Sequence, residues 1–197
     1  MRYLNKIVFI NSAAIRYSEV QLDGNIHLIG TQGVGKSTIL RAILFFYNAD
    51  TQRLGIPVEK KSYQDYYFPY ADSSIIYEVA REDGWFTVLS YKTMNRICYR
   101  FIASPYRPDL FIDEEGAPYP SDRIRSVLDK NGIKYSGAIS TYEEYRNILY
   151  GNSDNKRDYS CYSLMESGSY QNIIRTIQNV LLNSRLEADY IKQTIIT

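Results

Sequence analysis

The residues whose types and spacing most clearly predict chemistry form the octapeptide Gly30–Ser37, GTQGVGKS. It fits the phosphate-loop pattern GxxxxGK[ST] at every fixed position. Glycines let the backbone wrap closely around an anion, so that N–H groups converge on it at the positive N-terminus of a helix. The apolar run before the loop predicts a strand, and the residues from Thr38 onward predict a helix, which is the context that such a loop requires. The sequence therefore predicts a nucleotide-binding loop.

Each residue type in this loop has a predicted role. Lys36 would reach the β- and γ-phosphates as a mobile charge, and we predict it to be a catalytic residue. The Ser37 hydroxyl would coordinate Mg²⁺ beside the nucleotide oxygens. The predicted nucleotide-binding set is Gly30, Gln32, Gly33, Val34, Gly35, Lys36, Ser37 and Thr38. The alternative is a glycine-rich turn that carries an incidental lysine.

Composition restricts what else the chain could do. It has 197 residues, with 23 Lys and Arg against 22 Asp and Glu, which argues against a generally basic nucleic-acid coat but allows a local basic patch. His27 is the only histidine, and the cysteines, Cys98 and Cys161, are far apart in sequence. A zinc site or a histidine-based nucleophile is therefore not expected. Because no apolar run approaches the roughly 20 residues that span a bilayer, and no signal peptide is evident, we expect no membrane association and a cytoplasmic protein.

Hydrophobic periodicity predicts the elements that position the loop. Three strands are expected before it, at Arg2–Ile10, Ile15–Leu22 and Asn25–Ile29. A helix is predicted over Lys36–Asn48. After a stretch of mixed polarity, an antiparallel β-meander is predicted, with strands at Ser74–Glu82, Trp85–Tyr91 and Arg96–Ala103 and a fourth strand that ends in the turn Asp113–Gly116.

Helical patterns return in the second half of the chain. One helix begins near Ser121 and stops at Asn131-Gly132, and a capping box at Thr141–Glu144 opens another that ends at Gly151. We predict a core over residues 1–168 and a helical segment over residues 169–197. Because that helical pattern reaches Ile196 without a cap, we expect the natural chain to continue beyond it.

The residues around the loop resemble the N-terminal half of an ABC-type ATPase head, in particular the structural-maintenance-of-chromosomes (SMC) group and its DNA-repair and bacterial condensin-like relatives. Asn11, Tyr17 and the run Lys36–Ile43 match residues that recur there, and the likeness covers Met1–Asp50 well. The family usually carries Asn where Gln32 stands, and Gln retains the amide. The resemblance implies a mixed α/β fold of the P-loop NTPase class, ATP and Mg²⁺ as cofactors, and Asn11 in the nucleotide site.

The resemblance also implies what the chain does and with what. It predicts the ATP–Mg²⁺ binding half of an SMC-like, DNA-associated ATPase that acts in chromosome organisation, DNA repair or defence against foreign DNA. The implied partners are the C-terminal half of the same head, a second head in a nucleotide-bridged dimer, and DNA. The resemblance also implies that Asn183–Thr197 begins, or approaches, the coiled coil that separates the two halves. Such a half should bind ATP but hardly hydrolyse it alone. The alternatives are a self-contained phosphotransferase of the nucleotide-kinase type and a non-catalytic, nucleotide-gated interaction module.

Two further assignments concern hydrolysis. ABC heads use a glutamine that senses Mg²⁺ and the attacking water, and the resemblance implies Gln171 for this catalytic and metal-binding role. Gln64 and Gln178 are other candidates, and an ordinary polar residue near a helix start is the alternative for Gln171. The acidic pair Asp113-Glu114 could imitate a Walker B segment, but Pro108 and Asp109 interrupt the apolar run before it, so we favour a hairpin turn on an edge strand.

Tyrosine is unusually frequent, with 20 in the chain. The segment Glu59–Tyr70 interleaves basic and aromatic residues, so Lys60 and Lys61 could contact DNA phosphates while rings stack on bases. The alternative is a loop that half-buried tyrosines pin to the core. Arg96 and Arg100 alternate along a predicted strand and could form part of a basic face.

Overall fold

The computed structural model describes residues 2–24, 35–48, 60–94, 96–151 and 159–164, together with single positions at 26, 28, 29, 31, 33, 51, 54 and 56. Its strands are β1 (Tyr3–Ser12), β2 (Ile15–Gln21), β3 (Ser74–Arg81), β4 (Gly84–Thr93) and β5 (Arg96–Ile102). Its helices are α1 (Lys36–Asn48), α2 (Tyr63–Tyr67), α3 (Ser121–Lys130) and α4 (Tyr142–Leu149), with short 3-10 helices at Pro108–Leu110 and Ser160–Tyr162. The fold of these residues is mixed α/β.

The strands form one antiparallel sheet in the order β2-β1-β3-β4-β5. Alternation along each strand divides the side chains between two buried faces. Phe9, Tyr77 and Val88 lie on one face, in a core that α1, α2 and α4 cover. The opposite face packs against α3 and the Pro108–Leu110 helix. The central strand β3 is therefore buried on both sides, which explains its almost continuous apolar run, whereas the edge strand β2 has no buried residue.

Tyrosine hydroxyls bind α1 to the elements around it. Tyr67 donates to the Thr38 carbonyl at 2.7 Å, Tyr77 to the Ala42 carbonyl at 3.0 Å, and Tyr145 to the Phe46 carbonyl at 2.5 Å. Tyr150 donates to the Tyr47 carbonyl in the same way. A buried phenol needs an acceptor, and a helix carbonyl retains a second lone pair after its intrahelical bond. Part of the tyrosine content is therefore structural.

Most of the predicted elements are confirmed. The helix over Lys36–Asn48 has the predicted bounds, and the three strands of the meander end within two residues of prediction. Thr141 caps α4, with its hydroxyl oxygen accepting from the Glu144 N–H at 3.3 Å. The α3 helix ends at Lys130, directly before the predicted stop at Asn131-Gly132.

Two predicted strands are wrong. The fourth strand of the meander is replaced by the Pro108–Leu110 helix and a single bridge between Ile112 and Pro118, because Pro108 cannot donate to a ladder. The third early strand is not formed at its described positions, Ile26, Leu28 and Ile29. A strand needs a hydrogen-bonded neighbour, and Ile29 instead is 90% exposed.

Three further expectations concern a parallel P-loop core, the C-terminal helical segment and membrane association. The described sheet is antiparallel throughout, so it is not the parallel core of a P-loop NTPase. The predicted helical segment 169–197 lies outside the described residues. Among the residues that the structure does describe, no helix is both long enough and apolar enough to cross a bilayer.

The hydrogen bonds from tyrosine hydroxyls to α1 should contribute measurably to the free energy of unfolding. Tyr145→Phe keeps the buried ring and removes only the donor to the Phe46 carbonyl, so the free energy of unfolding should fall by about 1 kcal/mol. The matched control is Tyr142→Phe on the same helix, where the ring is 53% exposed and no loss is expected. Urea denaturation followed by circular dichroism measures both variants. Equal stability of the two would contradict the structural role of the Tyr145 hydroxyl.

Candidate functional site

A cavity of about 1250 Å³ lies where the start of α1, the β1–β2 turn and α2 meet. The glycine loop and α1 contribute Gly33 and residues 35–39 and 41 to its lining. The β1–β2 turn contributes Ala13, Ala14 and Ile15. The remaining walls include Lys60 and Lys61 together with Tyr66 and Tyr67 of α2. Elements that are distant in sequence are thus assembled around the predicted phosphate loop.

The glycine loop turns into α1 through backbone conformations that favour glycine. Gly33 and Gly35 both have φ of +92°, a region that residues with a Cβ rarely adopt. A Cβ placed on either glycine would meet nothing within 4 Å, so backbone conformation rather than space requires glycine here. The Gly35 carbonyl accepts from the Thr38 and Ile39 N–H groups at 3.0 and 3.1 Å. Gly35 therefore begins the helix, and the first N–H groups of α1 are presented at the cavity.

The electrostatic character of the cavity is cationic. Lys36, Arg41, Lys60 and Lys61 line it, and none of the described lining residues is acidic. The first turn of α1 also carries no carboxylate, so the positive end of the helix dipole adds to the same potential. This charge pattern favours a polyanion over a neutral or cationic ligand.

The loop carries groups that are chemically suited to phosphate and to a hard cation. The Lys36 ammonium donates to the Thr31 carbonyl at 2.8 Å, so it is held on the loop beside the cavity. The hydroxyl-bearing residues Ser37 and Thr38 also line the cavity. Ammonium and N–H groups suit phosphate oxygens, and a hydroxyl oxygen suits Mg²⁺ that keeps phosphate and water as its other ligands. The donor set therefore fits a magnesium–nucleotide complex.

The α2 helix packs against the core through buried rings and contacts the glycine loop through two tyrosine hydroxyls. Tyr63, Tyr67 and Phe68 are almost completely buried, which confirms the pinned-loop alternative for these three rings. Burial raises the pKa of Tyr67, an effect that the charge of Arg41 opposes, so the Tyr67 hydroxyl stays protonated as a donor to the Thr38 carbonyl. The Tyr66 hydroxyl lies 3.3 Å from Thr38 Oγ1. Two adjacent tyrosines thus contact the same residue of the phosphate loop.

The structure brings together five of the predicted site residues, all of them lining the cavity: Gly33, Gly35, Lys36, Ser37 and Thr38. Four others, Gly30, Gln32, Val34 and Gln171, lie outside the described residues. Asn11 has a φ of +44°, and its amide donates to Asp72 Oδ2 at 2.9 Å. Its carbonyl accepts from Ser73 Oγ at 2.5 Å. Asn11 therefore shapes the turn that precedes the cavity-lining Ala13 and Ala14.

Three cationic residues of the cavity are absent from the predicted nucleotide-binding set. Arg41 stands four residues after Ser37 on α1, and helical periodicity places such a pair on one face, so the sequence contains a signal for Arg41. For Lys60 and Lys61, the local sequence allows contact with nucleic acid or a loop that is held to the core. Nothing in that sequence indicates that they reach the glycine loop, because this proximity depends on the packing of α2 against α1.

The predicted basic face on β5 is wrong at Arg100. Its side chain is only 5% exposed, donates to the Ser136 carbonyl at 3.2 Å, and lies over the Tyr135 ring at 5.1 Å. The guanidinium thus holds the segment after α3 against the sheet. A buried arginine cannot contribute to an exposed basic face.

Asp113 stabilises a turn. Its Oδ1 accepts from the Ala117 N–H at 2.7 Å and from the Glu115 N–H at 3.0 Å, and the Asp113 carbonyl accepts from Gly116. The favoured hairpin-turn interpretation is therefore confirmed for the turn, although a single bridge replaces the edge strand. The carboxylate is engaged in local structure, and it is not one of the residues that line the cavity.

Substitutions at this turn should separate a structural from a catalytic carboxylate. Asp113→Ala removes both accepted bonds and should lower the free energy of unfolding by about 1 kcal/mol, as the loss of a cap does. Asp113→Asn keeps an accepting oxygen and should retain most of that stability. Urea unfolding measures both variants, and Glu114→Gln serves as the local control with no expected change. A stable Asp113→Ala variant would contradict the turn-stabilising role.

Comparison with known proteins places the chain in a family. A comparison with curated proteins gives no match. The profile of one family matches residues 11–197, a range that includes the glycine loop, α1 and the whole meander. Since the match extends over most of the sequence, the chain belongs to the family described as "Protein of unknown function (DUF3584)".

Proposed function

We propose that this chain binds ATP with Mg²⁺ as the Walker A half of an SMC-like, ABC-type ATPase head that acts on DNA. One observation carries the proposal: the predicted phosphate loop opens into a cavity with four cationic side chains and no acidic residue among its described lining. Glycines with positive φ and the start of α1 stand at that cavity. A polyphosphate chain is the ligand that this arrangement suits best.

The fold bears on the proposal in two ways. A meander after the first helix belongs to the arrangement on which the resemblance to the N-terminal half of an ABC-type head rests. The antiparallel pairing of the described sheet fits a P-loop NTPase core poorly, so within the proposal the parallel strands would come from the C-terminal half of the head. Ile26 and Ile29, on the segment that leads into the loop, are 41% and 90% exposed. Exposed apolar side chains at that place suit a contact with the other half of the head.

Within the proposal, each residue has one role. Lys36 would move from the Thr31 carbonyl to the β- and γ-phosphates, Ser37 would hold Mg²⁺, and Thr38 would contact a phosphate oxygen. Mg²⁺, when bound, neutralises phosphate charge and orients the terminal phosphoryl group. Gln171 remains our proposed sensor of Mg²⁺ and water. The proposed partners are the C-terminal half, a second head and DNA, in the cytoplasm.

The proposal predicts that this chain binds ATP without hydrolysing it. Orientation of the attacking water needs a carboxylate or an equivalent group near the terminal phosphate. None of the described cavity residues is acidic, and Asp113 is occupied in its own turn. We therefore expect binding with negligible turnover, which distinguishes this proposal from a self-contained phosphotransferase.

The direct test replaces the loop lysine. Lys36→Ala removes a charge-assisted contact to phosphate and should raise the Kd for MgATP by about tenfold or more. Isothermal titration calorimetry on the 197-residue chain measures this change. The control is Lys130→Ala, on α3 at the opposite face of the sheet, which should leave the Kd unchanged.

Two outcomes would count against the proposal. If Lys36→Ala bound MgATP as tightly as the wild-type chain, the loop would not be the nucleotide site. If the wild-type chain alone transferred phosphate at roughly 1 per second or faster, a rate typical of enzymes, the phosphotransferase alternative would replace the proposed ATPase-head function. A nucleotide-gated module without catalysis predicts binding that no added C-terminal half converts into turnover.

A further inference from the structure

Two lysines that lie outside the glycine loop face the same cavity as the loop. Lys60 and Lys61 stand more than twenty positions after Lys36 in the sequence, yet all three side chains line one space. Lys60 and Lys61 are exposed, so their ammonium groups are hydrated and can reach a ligand. The cavity thus has cationic groups on two separate elements.

The two lysines are held in place by the helix that follows them. Ser62 caps α2, with its Oγ accepting from the Asp65 N–H at 3.1 Å. Tyr63 stacks on Phe45 of α1 at 4.4 Å and on Tyr67 at 4.1 Å between ring centroids. Since Tyr63 is only 2% exposed, the start of α2 cannot move without disturbing the core. The backbone beside Lys60 and Lys61 is therefore fixed relative to α1.

Asp65, the acid of α2, compensates only part of the charge of this lysine pair. Asp65 Oδ2 accepts from the Ser62 hydroxyl at 2.7 Å, and Asp65 Oδ1 pairs with Lys92 at 3.5 Å. The Ser62 hydrogen bond, Lys92 and then Lys61 lower the pKa of Asp65, so its one negative charge is shared among several partners. Lys60 and Lys61 line the cavity, to which they bring two positive charges.

The glycine loop and the two lysines meet opposite ends of α2. The start of α1 meets the C-terminal end, where Tyr67 donates to the Thr38 carbonyl at 2.7 Å. The β1–β2 turn meets the same end, where Ser12 Oγ donates to the Tyr67 carbonyl at 2.8 Å. The lysines precede the N-terminal end, and a five-residue helix separates the two ends by about 7 Å. Lys60 and Lys61 therefore lie beyond the glycine loop, at a distance that a polyphosphate chain spans.

We infer that Lys60 and Lys61 contact the terminal phosphate of the bound nucleotide and make the site prefer a triphosphate to a diphosphate. The inference rests on the proposed function, because it assigns a ligand group within the same site. The phosphate loop holds the phosphates that ATP and ADP share. A second cationic wall adds affinity only for the additional phosphate that ATP carries.

The test measures the Kd of the 197-residue chain for MgATP and MgADP by isothermal titration calorimetry. Replacing both lysines in Lys60→Gln/Lys61→Gln should raise the Kd for MgATP by about tenfold, the effect of one lost charge-assisted contact. The Kd for MgADP should change by less than about twofold, because ADP lacks the phosphate that the two lysines would contact. The charge-matched control is Lys130→Gln/Lys134→Gln, at exposed lysines beside α3, where neither Kd should change.

A conservative variant gives a second readout. Lys60→Arg/Lys61→Arg keeps both charges and should retain the preference for MgATP. A purely structural role of the lysine stems would not distinguish the glutamine pair from the arginine pair in ligand preference. Circular dichroism of each variant confirms that the exposed substitutions leave the fold intact.

The outcomes separate this inference from the proposed function. If Lys36→Ala weakens MgATP binding while the glutamine pair binds both nucleotides as the wild type does, the inference is overturned and the nucleotide site stands. An equal loss for MgATP and MgADP overturns the assignment to the terminal phosphate. If the glutamine pair loses only affinity for a DNA duplex, the lysines serve nucleic acid instead. A wild-type chain that binds neither nucleotide overturns both proposals.

Discussion

Hydrogen bonds from tyrosine side chains to helix carbonyls determine where α1 lies on the sheet. The acceptors are the carbonyls of Thr38, Ala42, Phe46 and Tyr47, and the first three are spaced by four residues, along one face of the helix. Apolar packing alone is non-directional and tolerates sliding and rotation. A buried phenol that loses its acceptor costs about 1–3 kcal/mol. These bonds therefore hold α1 in one position along its axis, and the glycine loop lies at the N-terminal end of that axis.

The same interaction links the core to the candidate site. The Tyr67 ring is buried and its hydroxyl binds the Thr38 carbonyl, while the Tyr67 carbonyl accepts from Ser12 at the β1–β2 turn. One residue thus joins α1, α2 and that turn, three elements that line the cavity. Burial raises the pKa of Tyr67, an effect that Arg41 opposes, so the donor remains protonated at neutral pH. The shape of the cavity depends on the core rather than on the loop alone.

This dependence explains what the sequence can and cannot predict. Elements whose signals are local are predicted well: the ends of α1, the Thr141 cap and the meander. The predicted strand at Ile26–Ile29 fails because a strand requires a partner, which apolar periodicity does not supply. In the site, the residue types of the glycine loop, together with the helix that follows it, predict phosphate chemistry. The places of Lys60 and Lys61 are not predictable in this way, because they result from Tyr63 stacking on Phe45, a contact between segments that no sequence spacing connects.

Positive and negative side chains are separated around the candidate site. Cations on α1 and ahead of α2 surround a cavity whose described lining contains no carboxylate, whereas the acidic Asp113 is used to close a distant turn. This charge pattern favours a polyanion, and the described lining lacks a group that would orient a water molecule toward it. In the proposed complex, the four cationic side chains outnumber the negative charge that a magnesium-bound polyphosphate retains. This face of the chain would therefore stay cationic and suit an acidic surface. Such a surface would also bring the carboxylate that the described lining lacks, so association and hydrolysis would be coupled.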